Sequence, residues 1–78
     1  MIALTREIQS MESVFRRLDE KAEKRETVID TLNAAAVGRK LTPAETATRK
    51  EMIRQLKQLQ TLKNRTADLL GQMEEWNG

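Results

Sequence analysis

Residues 1–37 read MIALTREIQSMESVFRRLDEKAEKRETVIDTLNAAAV, and apolar side chains recur in them every three or four positions. The spacing alternates between three and four for five heptads, which predicts a long α-helix with one apolar stripe for a partner helix. Only Arg25 places a polar side chain on that stripe. We call these positions the seam: Met1, Leu4, Ile8, Met11, Phe15, Leu18, Ala22, Arg25, Ile29, Leu32 and Ala36.

The first helix is predicted over residues 5–37. Thr5 is the expected N-cap, because a threonine hydroxyl can accept one of the unpaired N–H groups at a helix start. Gly38 follows the last apolar position. Glycine takes the left-handed conformation at little cost, so we expect Gly38 to end the helix in that conformation.

A strong signal for the N-terminus of a second helix follows Gly38. Thr42, Pro43 and Glu45 have the spacing of a capping box with proline at the first helical position. The Thr42 hydroxyl and the Glu45 carboxylate should each accept a backbone N–H group. The sequence therefore predicts a turn at residues 38–42 and a second helix over residues 43–76.

Two helices of equal length joined by a short turn run antiparallel. The predicted fold is all-α, a coiled-coil-like antiparallel two-helix hairpin that forms one domain, residues 1–78. Residue i should lie opposite roughly residue 80 − i in such a hairpin. Both helices carry more apolar surface than one neighbouring helix covers. We therefore expect a helical bundle to be completed by self-association or by another helical protein.

The amino-acid composition argues against catalysis and metal binding. The 78 residues include no Cys and no His, so the commonest metal ligands and the commonest general base are missing. We predict no enzyme activity, no cofactor, and no catalytic or metal-binding residues. The first residues do not resemble a secretory signal, and apolar runs stay far below the ~20 residues that span a bilayer. A cytoplasmic protein without a membrane role is the expectation.

Apolar side chains beside the seam and on the second helix are the predicted partner-binding residues. They indicate a protein–protein interaction module, such as an adaptor, an assembly factor or a chaperone-like subunit, that buries apolar helix faces. Trp76 has two interpretations: it closes the hairpin over Leu4 and Ile8, or it anchors a partner. The predicted set is Val14, Val28, Ile53, Leu56, Leu62, Leu69 and Trp76.

A basic segment, residues 39–65, supports an alternative function. It holds eight basic and two acidic residues, in a chain of net charge +2. Such a segment attracts phosphate groups, as in a dimeric four-helix bundle that binds nucleic acid, although no aromatic side chain lies within it to stack on bases. A solvated surface, or one that faces an acidic surface, is the other interpretation. The candidate electrostatic contacts are Arg39, Lys40, Arg49, Lys50, Arg54 and Lys57.

Arg25 also has two interpretations. In the first, it fixes the register of the hairpin by pairing with a carboxylate, such as Glu51 or a glutamate of another chain, since polar seam residues can select one pairing. Alternatively its stem packs on the seam while its guanidinium group reaches water.

Overall fold

The computed structural model describes residues 3–77 and contains two α-helices, α1 (Thr5–Gly38) and α2 (Pro43–Asn77). They pack side by side as an antiparallel hairpin, which confirms the predicted fold class. The molecule measures 60 × 16 × 14 Å, so it is a rod only one helix pair wide. The first predicted seam position, Met1, lies outside the described residues.

The predicted capping box starts α2. Thr42 Oγ1 accepts the N–H of Glu45 at 3.1 Å, and Glu45 Oε1 accepts the N–H of Thr42 at 3.0 Å. The same carboxylate accepts two hydrogen bonds from the Arg39 guanidinium, at 2.8 and 2.7 Å. These hydrogen bonds lower the pKa of Glu45 to about 2. The bond with Arg39 has the larger effect, and the bond with the backbone N–H of Thr42 adds to it. Glu45 is therefore charged at neutral pH and ties the end of α1 to the start of α2.

The end of α1 differs from the prediction. α1 continues through Gly38, and no residue in the range 3–77 has a positive φ. The chain leaves the helix at Arg39, which is extended with φ −159° and ψ 164°. The Arg39 N–H donates to the Ala35 carbonyl at 3.1 Å. The left-handed cap assigned to Gly38 is wrong because one extended residue already redirects the chain.

The start of α1 also differs from the prediction. Thr5 is the first helical residue, and the N-cap position falls on Leu4, which makes no side-chain capping hydrogen bond. The Leu4 carbonyl accepts the N–H of Ile8 at 2.8 Å. The Leu4 N–H donates to Asn77 Oδ1 at 2.6 Å, so the last described residue of α2 holds the start of α1. The N-cap role assigned to Thr5 is wrong because the helix begins one residue earlier than that role requires.

Hydrogen bonds between the helices define the register. Each pairing lies within two positions of the expectation that residue i faces roughly residue 80 − i. The register therefore follows from the lengths of the turn and the helices, as predicted. The bonds join Asn33 to Arg49 at 2.6 Å, Arg25 to Gln55 at 3.1 Å and Asp19 to Lys63 at 2.6 Å.

The core is the seam between the helices. Ala22, in the middle of α1, is only 3% exposed, and its small side chain lets the helices approach closely. Thr66 satisfies its buried hydroxyl by donating to the Leu62 carbonyl at 2.8 Å. Ala36, the last seam position, is exposed, so the packed seam does not extend to the turn. The buried side chains are Ile8, Ala22, Ile29, Thr66 and Met73.

Neither α1 nor α2, over residues 3–77, combines the length and the apolar character needed to cross a membrane.

Candidate functional site

Five of the seven predicted partner-binding side chains stay exposed in the hairpin: Val14, Val28, Leu62, Leu69 and Trp76. Leu62, Leu69 and Trp76 follow one another at intervals of seven residues. Each interval corresponds to about 10 Å along the helix and a drift of only ~20° around its axis. These three side chains therefore form one row on α2. Val14 and Val28 form the equivalent row on α1, with Lys21 between them.

The two rows lie on the same side of the hairpin. Leu69 lines an open groove together with Glu7 and Ser10 of α1. Leu62 lines a second groove together with Lys21. Glu7 and Lys21 are at the same heptad position as the two valines, and residues seven apart share one side of a helix. We call this surface the apolar flank: Val14, Val28, Leu62, Leu69 and Trp76.

The other two predicted residues are not part of the apolar flank. Ile53 is nine residues before Leu62, and nine residues make about two and a half turns, so the two side chains leave α2 in opposite directions. Leu56 is half-buried on the seam. The suggestion that Ile53 and Leu56 contact a partner stays a prediction.

Trp76 lies at the open end of the hairpin. Its neighbour Asn77 accepts a hydrogen bond from the Leu4 N–H through its side-chain oxygen. The Trp76 side chain is 57% exposed, which leaves much of the indole uncovered. Of the two interpretations of this residue, its exposure favours the anchor for a partner.

The other side of the interface is closed by polar contacts. Lys63 Nζ lies 2.6 Å from Asp19 Oδ1 and 5.6 Å from the centroid of the Phe15 ring, which is within range for a cation–π contact. Arg49 Nε donates to Asn33 Oδ1 at 2.6 Å. Asp19 and Asn33 are fourteen residues apart and share one side of α1, away from the apolar flank. Long side chains of α2 cover this side, whereas the apolar flank stays open.

Arg25 makes polar contacts within the seam. Its guanidinium donates to Gln55 Oε1 at 3.1 Å and to the Lys21 carbonyl at 3.0 Å. Gln55 Nε2 in turn donates to Glu51 Oε1 at 3.0 Å. The carboxylate expected as the partner of Arg25 is therefore reached through Gln55. Glu51 forms its direct salt bridge with Arg54. This contact has the largest effect on the pKa of Glu51, and the hydrogen bond from Gln55 adds to it, so that the pKa is lowered to about 2.

The candidate electrostatic residues divide into two groups. Three hydrogen-bond within the hairpin: Arg39 to Glu45, Arg49 to Asn33 and Arg54 to Glu51. The other three are exposed lysines: Lys40, Lys50 and Lys57. Lys50 and Lys57 share the outer face of α2, and Lys40 lies in the turn. Nucleic-acid binding by residues 39–65 stays a prediction.

Sequence reasoning missed a set of basic residues that border the apolar flank. The grooves beside the flank are lined by five basic side chains and one carboxylate, Glu7. The signal was present in the spacing, because Lys21 lies midway between the two valines and Arg65 lies between Leu62 and Leu69. We call these basic residues the basic rim: Arg6, Lys21, Arg25, Arg54 and Arg65.

A further exposed apolar residue, Val37, was also missed. It is 90% exposed in the last turn of α1, away from the packed seam. Over residues 3–77, no three His, Cys, Asp or Glu side chains lie close enough together to hold a metal ion. Comparison with protein-family models, with curated proteins and with solved structures gave no match.

Proposed function

We propose that this protein is a non-enzymatic protein–protein interaction module that packs a further helix against its apolar flank. That helix comes from a second copy or from another helical protein, and the module acts as a small adaptor, assembly factor or chaperone-like subunit. A cytoplasmic location is part of the proposal and rests on the sequence. The observation that carries the proposal is the row of heptad-spaced apolar side chains on one open side of the hairpin.

The exposed area is energetically important for so small a chain. The five side chains of the apolar flank are 37% to 57% exposed. Full burial of a large apolar side chain stabilises by roughly 2 kcal/mol, so covering the exposed half of each contributes about 1 kcal/mol, or about 5 kcal/mol in total. A folded domain of this length has a net stability of about 4–12 kcal/mol. A covering helix therefore adds an amount comparable with the stability of the hairpin itself.

The shape of the surface suits a helix. Two parallel cylinders leave a concave channel between them, and the apolar flank lies along such a channel. A third helix in the channel meets one row of side chains from α1 and one from α2, both with the seven-residue repeat of coiled-coil packing. This is the helix-in-groove mode of recognition.

The proposal is tested by placing a charge on the apolar flank. Leu62→Asp and Leu69→Asp should abolish association and retain helical circular dichroism, because a buried unpaired carboxylate is costly whereas each helix keeps its seam contacts. Asn64→Asp is the matched control, since it adds a comparable charge on the other side of α2 from Leu62.

Association is measured in two ways. Mass and thermal midpoint are followed over a hundredfold dilution, since a self-associating protein has a concentration-dependent midpoint. The chain is also titrated with a tryptophan-free, four-heptad amphipathic peptide whose apolar stripe is bordered by Gln, and Trp76 emission is recorded. A wild-type chain that stays monomeric, melts independently of concentration and does not bind this peptide would disprove the proposal.

A further inference from the structure

We infer that the helix on the apolar flank belongs to a different protein and carries Asp and Glu on both borders of its apolar stripe. This inference rests on the proposed function and specifies the chemistry of the partner. It follows from the charges around the flank.

The basic rim gives the flank a strong positive bias. Five basic side chains and one carboxylate, Glu7, line the grooves beside the flank. Among residues 3–77 the salt bridges involve Arg39, Arg54 and Lys63 as the basic partners. Four residues of the rim therefore have no carboxylate at contact distance among residues 3–77: Arg6, Lys21, Arg25 and Arg65. These charges attract acidic groups on whatever packs between them.

A second copy is a poor occupant of this surface. Packing two apolar flanks against each other would bring the two basic rims together, and like charges at an interface are costly. The acidic side chains Asp19 and Glu26 lie seven residues apart on the closed side of α1. Asp19 is already in contact with Lys63. Among the residues that line the grooves beside its flank, a second copy offers one carboxylate, Glu7, against five basic side chains.

The positions of two rim residues define the partner more closely. Lys21 lies between Val14 and Val28 on α1, and Arg65 lies between Leu62 and Leu69 on α2. A helix in the channel thus passes between basic side chains on both edges. In coiled coils, charges at such bordering positions select the partner and its orientation. The complementary helix needs carboxylates on both edges of its stripe.

The test uses three tryptophan-free, four-heptad peptides with the same apolar stripe, bordered by Glu, by Gln or by Lys. Trp76 is the only tryptophan of the full chain and lies on the apolar flank, so its emission reports binding. The Glu peptide should bind roughly tenfold more tightly than the Gln peptide at low salt, because several exposed ion pairs each contribute a small amount. The Lys peptide should bind more weakly than both. The differences should shrink in 1 M salt.

A double charge reversal checks the assigned residues. Lys21→Glu with Arg65→Glu should reverse the order, so that the Lys peptide binds more tightly than the Glu peptide. The matched control is Lys50→Glu with Lys57→Glu, which makes the same change in net charge on the outer face of α2 and should keep the wild-type order. Circular dichroism of each variant verifies that the helices are retained.

The outcomes separate this inference from the proposed function. Equal or tighter binding of the Lys peptide to the wild-type chain overturns the inference and leaves the proposed function standing. A dimer that Leu62→Asp abolishes, or preferential binding to phosphatidylserine vesicles or to RNA over the Glu peptide, also overturns the inference. Absence of binding to all three peptides, together with a monomeric mass, overturns both.

Discussion

Two adjacent residues of α1 provide a sharp test of which side of the helix is packed. Ile29 is 9% exposed, whereas Val28 is 37% exposed on the apolar flank. Both are β-branched, and both become alanine in the proposed variants, so the effect of alanine on helix propensity is similar in the two. Ile29→Ala should destabilise the hairpin strongly, and Val28→Ala should have little effect.

The magnitude follows from burial. Replacing a core isoleucine by alanine costs about 2–5 kcal/mol, and a thin hairpin that collapses readily around the gap belongs at the low end. Alanine also favours the helix by up to ~0.5 kcal/mol. We expect a net loss of about 2 kcal/mol for Ile29→Ala, which corresponds to a fall of roughly 8–16 °C in the thermal midpoint of a domain of this size. For Val28→Ala the two effects nearly cancel.

The assay is thermal unfolding followed by circular dichroism at 222 nm, at low protein concentration so that the apolar flank stays uncovered. If Val28→Ala lowers the midpoint as much as Ile29→Ala at the lowest concentration, the seam does not pack as described. If Val28→Ala lowers the thermal midpoint only at high protein concentration, the apolar flank is a self-association surface.

Three further predictions concern the turn, acid pH and the seam. Thr42→Ala should destabilise the protein by about 1 kcal/mol in urea unfolding, through loss of the cap on α2. The folded-state pKa values of Glu45 and Glu51 are lowered to about 2 from the ordinary 4.5. The contribution of these two carboxylates to the stability of the hairpin is therefore complete above pH 4.5 and is lost as the pH falls toward 2. A thermal midpoint that stays unchanged between pH 4.5 and pH 2 would contradict this prediction. Arg25→Leu should stabilise the hairpin by about 1–2 kcal/mol, because an apolar side chain extends the seam and Gln55 can still reach water; a lower urea midpoint would show that the polar contact stabilises more than the apolar replacement.

Local patterns in the sequence were enough to predict the fold. The alternating spacing from Leu4 to Leu32 predicts one apolar stripe that only Arg25 interrupts, and the capping box at Thr42 and Glu45 is satisfied by residues only three apart. Both signals act within a few residues, so they do not depend on the rest of the molecule. The register followed because a short turn leaves two long helices little freedom to slide.

The details that escaped prediction depend on contacts between distant residues. The Leu4 N–H donates to Asn77, a contact between residues 73 positions apart that no local pattern indicates. The asymmetry between the two sides of the interface depends on where Lys63 and Arg49 direct their long side chains. Spacing alone places such residues on the seam and does not tell which edge they cover.

The cross-helix contacts become progressively less local from the turn to the open end, which gives the hairpin a direction of folding. Loop closure costs about (3/2)RT ln n, so a contact spanning 73 residues is roughly 1.3 kcal/mol harder to form first than one spanning 16. Pairing of the two helices should therefore begin near the turn and proceed toward the open end. Substitutions near the open end should then mainly raise the unfolding rate. Leu69 and Trp76 lie in the part that closes last. A helix bound there would hold the open end of the hairpin together, and it would have to dissociate before α1 and α2 separate. The sequence separations are 6 for Arg39 and Glu45, 16 for Asn33 and Arg49, 30 for Arg25 and Gln55, 44 for Asp19 and Lys63, and 73 for Leu4 and Asn77.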